Sequence, residues 1–121
     1  MTHTIEPVHV LIVDDSEDQR MLLRRYFERA GCEVAEAGTA IDALDSFNAH
    51  APDLTVIDLV LPGMDGWALA DVLSTSSSAI AISSVMDRQH YPAQHVALPK
   101  PVSGATVRAA LAQLVPRWTA A

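Results

Sequence analysis

Short apolar runs, each closed by a polar residue, constrain this chain more than any other feature. Asp14 and Asp15 close the run 8–13, Asp58 closes 54–57, and Ser83 closes 79–82. Lys100, followed by Pro101, closes 95–99. Runs this short, separated by helical stretches, predict buried parallel strands. Strands alternating with helices build a parallel sheet, and right-handed crossovers lay helices on both of its faces. In such a doubly wound α/β sheet, ligands bind outside the carboxyl ends of the strands. Three acids, a hydroxyl and an ammonium would meet there. That set suits a divalent cation and a phosphoryl group.

The intervening segments carry matching helix signals. Ser16 is placed to cap the first helix, with Glu17 and Asp18 at the positive end of its dipole. Leu23, Phe27 and Ala30 share its inward face, and Gly31 ends it. Residues 32–37 alternate as an edge strand. Gly38-Thr39 opens a second helix with Ala40, Leu44 and Phe47 on one face, ending near His50. Ala51-Pro52-Asp53 breaks the chain before the third strand. A turn-rich loop covers 61–66, a short helix 67–73, and a serine-rich connector 74–78. The next helix falls within 86–94, short and interrupted by Pro92. The last begins near Ser103, turns Val107, Leu111 and Leu114 inward, and stops at Pro116.

Composition excludes several classes. A chain of 121 residues makes one domain with a working core, and no internal repeat or interdomain linker is visible. No apolar run approaches the roughly 20 residues that span a bilayer. The N-terminus lacks the basic-then-apolar order of a secretory signal. The single cysteine, Cys32, cannot form an internal disulfide, so cytoplasmic residence is the default expectation. A formal charge of −7, with no added helix-turn-helix, argues against nucleic acid as a partner. His3, His9, His50, His90 and His95 are scattered without metal-site spacing.

Each polar residue has a bland reading when taken alone. Asp-Asp-Ser after a strand is an ordinary helix N-cap, aspartate is common before turns, and Lys100-Pro101 suits a plain turn. Order and spacing together favour chemistry. Asp14, Asp15 and Asp58 offer the hard oxygen ligands that Mg²⁺ prefers. Neighbouring side chains on a strand point to opposite faces, so Asp14 and Asp15 can converge only where the strand has ended. With a cation present, one carboxylate is left to act as nucleophile. Lys100 brings a movable positive charge and Ser83 a hydroxyl donor.

The segments at 10–15 (Val-Leu-Ile-Val-Asp-Asp), 53–58 (Asp-Leu-Thr-Val-Ile-Asp) and 61–66 (Leu-Pro-Gly-Met-Asp-Gly) resemble the receiver domain of two-component response regulators. Ile-Ser at 82–83 and Lys-Pro at 100–101 complete the likeness, which covers about residues 7–116. It implies a flavodoxin-like, five-stranded parallel sheet of order 2-1-3-4-5. It implies Asp58 as phosphoacceptor and Ser83 as the switch hydroxyl. Lys100 becomes the lysine that contacts the phosphoryl group. Asp14, Asp15, Asp58 and the backbone carbonyl of Val60 become the Mg²⁺ ligands. Its implied donor is a histidine kinase or a histidine phosphotransfer protein.

Departures from the family pattern qualify this picture. The segment between Ser83 and Lys100 is shorter than usual, which predicts a shortened fourth helix. Ala97 replaces the usual aromatic residue three positions before the lysine, putting output through that face in question; Tyr91 is a candidate substitute. Val60 and Val85 are apolar where some relatives carry polar groups that orient hydrolytic water, which predicts slow self-dephosphorylation. Arg20, Arg24, Arg25 and Arg29 crowd the first helix, either as a solvated face or as part of the family's docking surface. Trp118 is expected to pack back on the domain or to join a dimer.

The resulting expectation is a stand-alone receiver over 7–116, with tails at 1–6 and 117–121 and no output domain. It would catalyse only its own phosphoryl transfer and slow dephosphorylation, as a monomer or weak dimer away from membranes. Signalling would run through a downstream protein or a phosphorelay. The alternative is an adaptor that switches by partner binding without phosphorylation.

Overall fold

The computed structural model describes residues 6–58, 60–61, 64–74, 79–84, 96–99 and 102–119. The fourth-helix segment, Val85, Tyr91, Lys100 and Pro101 lie outside the described residues. Strands β1 (His9–Val13), β2 (Glu33–Ala37), β3 (Leu54–Asp58), β6 (Ala79–Ser84) and β7 (Val96–Pro99) form one sheet. Its order is β2-β1-β3-β6-β7 and every neighbouring pair is parallel. Counted along the chain, the first four strands run 2-1-3-4, with Val96–Pro99 laid along the outer side of β6. Two further strands, β4 (Val60–Leu61) and β5 (Met64–Asp65), pair antiparallel. The stretch expected as a turn-rich loop therefore contributes a minimal antiparallel strand pair. Pairs this short carry too little periodicity to read from sequence.

Helix α1 (Glu17–Arg29) begins where Ser16 Oγ accepts the Gln19 N–H at 3.2 Å. It ends at Gly31, whose φ of +89° is a conformation that disfavours any side chain. Helix α2 (Ala40–Ala49) is capped by Thr39, and α3 covers Gly66–Leu73. Helix α4 (Gly104–Leu114) opens with a reciprocal capping box between Ser103 and Thr106. All three side-chain caps are local and match the sequence signals. Among the described residues, no helix is long and apolar enough to cross a membrane.

Strand alternation divides the core into two layers. Val10, Ile12, Leu54 and Val56 face α1 and α4, where Leu23, Phe27, Val107 and Leu111 are buried. Leu11, Val13 and Ile57 face the opposite way, against Ala43, Leu69, Ala70 and Leu73. Both faces are covered, so β1 and β3 read as continuous apolar runs. Burying a side chain such as Phe27 contributes about 1.5–3 kcal/mol. On α2 the fully buried residue is Ala43, while Ala40, Leu44 and Phe47 are half-buried around it. The expected stripe is displaced because α2 covers the sheet edge, where β2 is itself half-exposed.

The carboxy-terminal segment is docked. The Trp118 indole N–H donates to the Ala30 carbonyl at 2.9 Å, and the Arg108 guanidinium lies 5.5 Å from the centre of its ring. Arg117 donates to both carboxylate oxygens of Asp53, at 3.3 and 2.6 Å, and to the carbonyls of Glu6 and Pro7. Asp53 also accepts the His9 N–H at 2.9 Å. Burial opposes ionisation of Asp53, but the bonds from Arg117 and the His9 N–H outweigh it and hold the carboxyl below its ordinary value. Nearby Cys32 is buried, and desolvation with the Asp53 charge pushes its thiol up to about 11, against the pull of Arg117. Such a thiol stays protonated and inert at neutral pH.

Candidate functional site

The candidate site forms where β1 and β3 run out. Val13 is the last residue of β1 and lies beside Ile57 of β3, so Asp14 and Asp58 leave the sheet as neighbours. Asp58 is in register with Ser83 of β6 across the next ladder. Three of the expected positions thus stand on adjacent strands at one sheet end. Asp14 is 1% exposed and Asp58 8%, whereas Asp15 is open to solvent.

Local bonds turn the two acids at 14 and 15 toward one place. The Asp14 N–H still reaches the Ala37 carbonyl at 3.1 Å, extending the β1–β2 ladder by one step. Its Oδ1 accepts the Ser16 N–H at 2.9 Å, which bends the chain into the cap of α1. Strand alternation ends here, and Asp15 is no longer bound to the opposite face. Carboxylate oxygens of Asp14, Asp15 and Asp58 lie within 4.8 Å of one another. Bringing three carboxylates this close costs Coulomb energy, which a divalent cation cancels. The donors are hard oxygens with one face open to water, the kind of set that Mg²⁺ takes together with water and phosphate oxygens. Among the described residues, this is the one group of three such ligands within that reach.

The other expected participants divide by what is described. Ser83 is described by its backbone in β6, and Val60 by its backbone as the first residue of β4. Lys100 lies outside the described residues. Two arginines of α1 do more than face solvent. Arg20 Nη1 donates to the Asp14 carbonyl at 2.6 Å while its Nε bonds Glu36 of β2 at 3.1 Å. Arg24 pairs with the same Glu36 and donates to the Val34 carbonyl at 2.8 Å. Arg25 and Arg29 are exposed. Opposite charges at 20 and 36 were visible in sequence, but only the β-α-β crossover brings them together. His9, the first residue of β1, meets His50 with ring centres 4.3 Å apart, and among the described residues the two belong to no group of three metal ligands.

A family model for the response regulator receiver domain matches residues 10–111. This chain belongs to that family. It is therefore a receiver domain of two-component signalling. It is 36% identical over 83 residues to chemotaxis protein CheY of Bacillus subtilis, covering 66% of this chain and 69% of the relative. It is 39% identical over 77 residues to protein-glutamate methylesterase/protein-glutamine glutaminase 5 of Myxococcus xanthus, covering 62% of this chain and only 22% of that protein. Its fold matches the CheY-like receiver domain from Methylobacillus flagellatus with a TM-score of 0.81 at 22% identity, over 90% of this chain and 99% of the other.

Proposed function

We propose that residues 7–116 form a receiver unit that takes a phosphoryl group onto the Asp58 carboxylate. The donor is the phosphohistidine of a histidine kinase or histidine phosphotransfer protein. The observation that carries this reading is the convergence of Asp14, Asp15 and Asp58 at the strand ends, with Asp58 in register with Ser83. Asp14, Asp15, Asp58 and the Val60 backbone carbonyl are the proposed Mg²⁺ ligands. When bound, Mg²⁺ supplies charge neutralisation for the carboxylates and the incoming phosphoryl oxygens. Asp58 is the nucleophile. Ser83 donates its hydroxyl to a phosphoryl oxygen, and Lys100 pairs with another. Proximity and orientation account for most of the rate in such a transfer.

A dianionic group on Asp58 draws Ser83 and Lys100 inward and shifts a two-state loop equilibrium. The short stretch of sequence between Ser83 and Lys100, together with Ala97, argues for readout by protein–protein contact or onward relay without an aromatic switch. In this reading the receiver unit works as a cytoplasmic signalling module, monomeric or weakly dimeric, that catalyses nothing beyond its own phosphorylation and slow dephosphorylation.

Intact-protein mass spectrometry after incubation with acetyl phosphate and Mg²⁺ tests this. One added phosphoryl group is expected, absent in Asp58→Asn and in the metal-free control. No adduct, even with a phosphorylated histidine phosphotransfer protein as donor, would defeat the reading in favour of a phosphorylation-independent adaptor.

A further inference from the structure

We infer that Arg20 is a positioning residue for the divalent-cation site, acting through the backbone corner between Asp14 and Asp15. This rests on the Mg²⁺ reading above and adds a residue to it. Asp14 is held at its N–H by Ala37 and at its carboxylate by the Ser16 N–H. Those two bonds engage its N–H and its carboxylate, and its carbonyl is the third polar group at the corner. Arg20 Nη1 donates to the Asp14 carbonyl at 2.6 Å and adds a side-chain restraint on the Asp14–Asp15 peptide. Its Nε is anchored on Glu36 Oε1 at 3.1 Å, so the guanidinium spans from β2 to the corner. Gly38 gives it room: a Cβ there would stand 3.1 Å from Nη1. Fixing the Asp14 carbonyl fixes the start of Asp15, the exposed acid that has left the sheet and carries no ladder bond of its own.

The sign of the effect separates this role from a simple charge. A cation beside the cleft repels Mg²⁺, so if Arg20 acted only through charge, its removal would tighten metal binding. If it holds the corner, its removal weakens binding despite the lost repulsion. Lysine keeps the charge but has no fork to bridge two acceptors. Arg20→Lys therefore isolates the geometry.

Mg²⁺ affinity measured by isothermal titration calorimetry on the full chain tests the inference, with thermal melts without metal as the folding control. Arg20→Gln and Arg20→Lys are both expected to weaken Mg²⁺ binding about tenfold, the usual scale for groups that orient metal ligands. Gly38→Ala, which crowds the guanidinium but keeps it, shifts affinity the same way by less and covers the case where an Arg20 variant fails to fold. In acetyl phosphate assays, the loss falls on half-saturating Mg²⁺ more than on the rate at saturation. Unchanged or tighter binding in Arg20→Gln overturns the inference. A wild type that binds no Mg²⁺ overturns it together with the proposed metal site. Mg²⁺ binding without phosphoryl uptake defeats only the Asp58 reading, and the affinities still judge Arg20.

Discussion

Replacing Thr55 with valine should stabilise this protein. Thr55 lies in the middle of β3, flanked across the sheet by Leu11 on β1 and Ile80 on β6. It is fully buried, at 0% exposure, and its Oγ1 has no hydrogen-bond partner among the described residues. Folding strips water from that hydroxyl and returns nothing. A buried polar group left this way costs about 1–3 kcal/mol. Valine is β-branched like threonine and keeps the same stiff χ1 on a pleated strand, so the backbone and its neighbours need not move. The expected gain is about 1–2 kcal/mol, because small shifts around Thr55 recover part of the loss in the wild type. For a domain of 121 residues, unfolding entropy near 2.1 cal/mol/K per residue converts that gain to a rise in Tm of about 4–8 °C.

The assay is urea unfolding followed by far-ultraviolet circular dichroism, with calorimetry for Tm. The urea midpoint should rise at constant slope, since the surface exposed on unfolding is unchanged. Thr55→Ser is the control: it keeps the hydroxyl and deletes a buried methyl, which costs about 1 kcal/mol or more. A neutral or destabilising Thr55→Val would refute the reasoning. It would mean that the hydroxyl makes a bond worth its burial.

Two other expectations bear on different parts of the molecule. Asp53 has a carboxyl held below its unfolded value of 3.8, so its contribution is present above that pH and is lost as pH falls through the depressed folded value. Because Arg117 is 41% exposed, the ion pair itself is discounted to about 0–1 kcal/mol. Asp53→Asn should thus cost about 1 kcal/mol at pH 7, and urea unfolding should show the gap to wild type closing below pH 4. Phospho-Asp58 should decay slowly, because the valines at 60 and 85 cannot position water; Val60→Asn should speed the loss of the adduct about tenfold, an easing of roughly 1.4 kcal/mol, and mass-spectrometric time courses with equal rates would count against it.

What could be read from the sequence follows the range of the forces involved. The caps at Ser16, Thr39 and Ser103 are bonds to a backbone three residues on, so local grammar reveals them. Strand ends are visible because apolar runs stop where the sheet meets water. The meeting of Asp14, Asp15 and Asp58 required one rule beyond locality, that parallel strands present their carboxyl ends together. Contacts without such a rule stayed hidden. Asp53 with Arg117 and Arg20 with Glu36 join residues whose proximity exists only once the crossovers are formed, whereas Trp118, expected to pack back on the domain or join a dimer, does the first through the Ala30 carbonyl. Ala43 was missed for another reason: a small residue adds little to an apolar pattern, yet it lets α2 approach the sheet edge.

The two ends of the sheet use the same residue type to opposite effect. At the amino ends, Asp53 joins three strands through backbone and side chain: its N–H donates to the His9 carbonyl, its carbonyl accepts the Ala79 N–H, and its carboxylate takes the His9 N–H and Arg117. Every part of that aspartate is compensated, and it contributes to stability. At the carboxyl ends, carboxylate oxygens of Asp14, Asp15 and Asp58 lie within 4.8 Å of one another, and like charges this close repel. A single layer of strands carries both because the apolar core between them keeps the two ends apart. Removing the carboxylate of the exposed Asp15 should therefore ease that repulsion while weakening the proposed cation binding, whereas removing Asp53 costs stability and leaves the cleft intact.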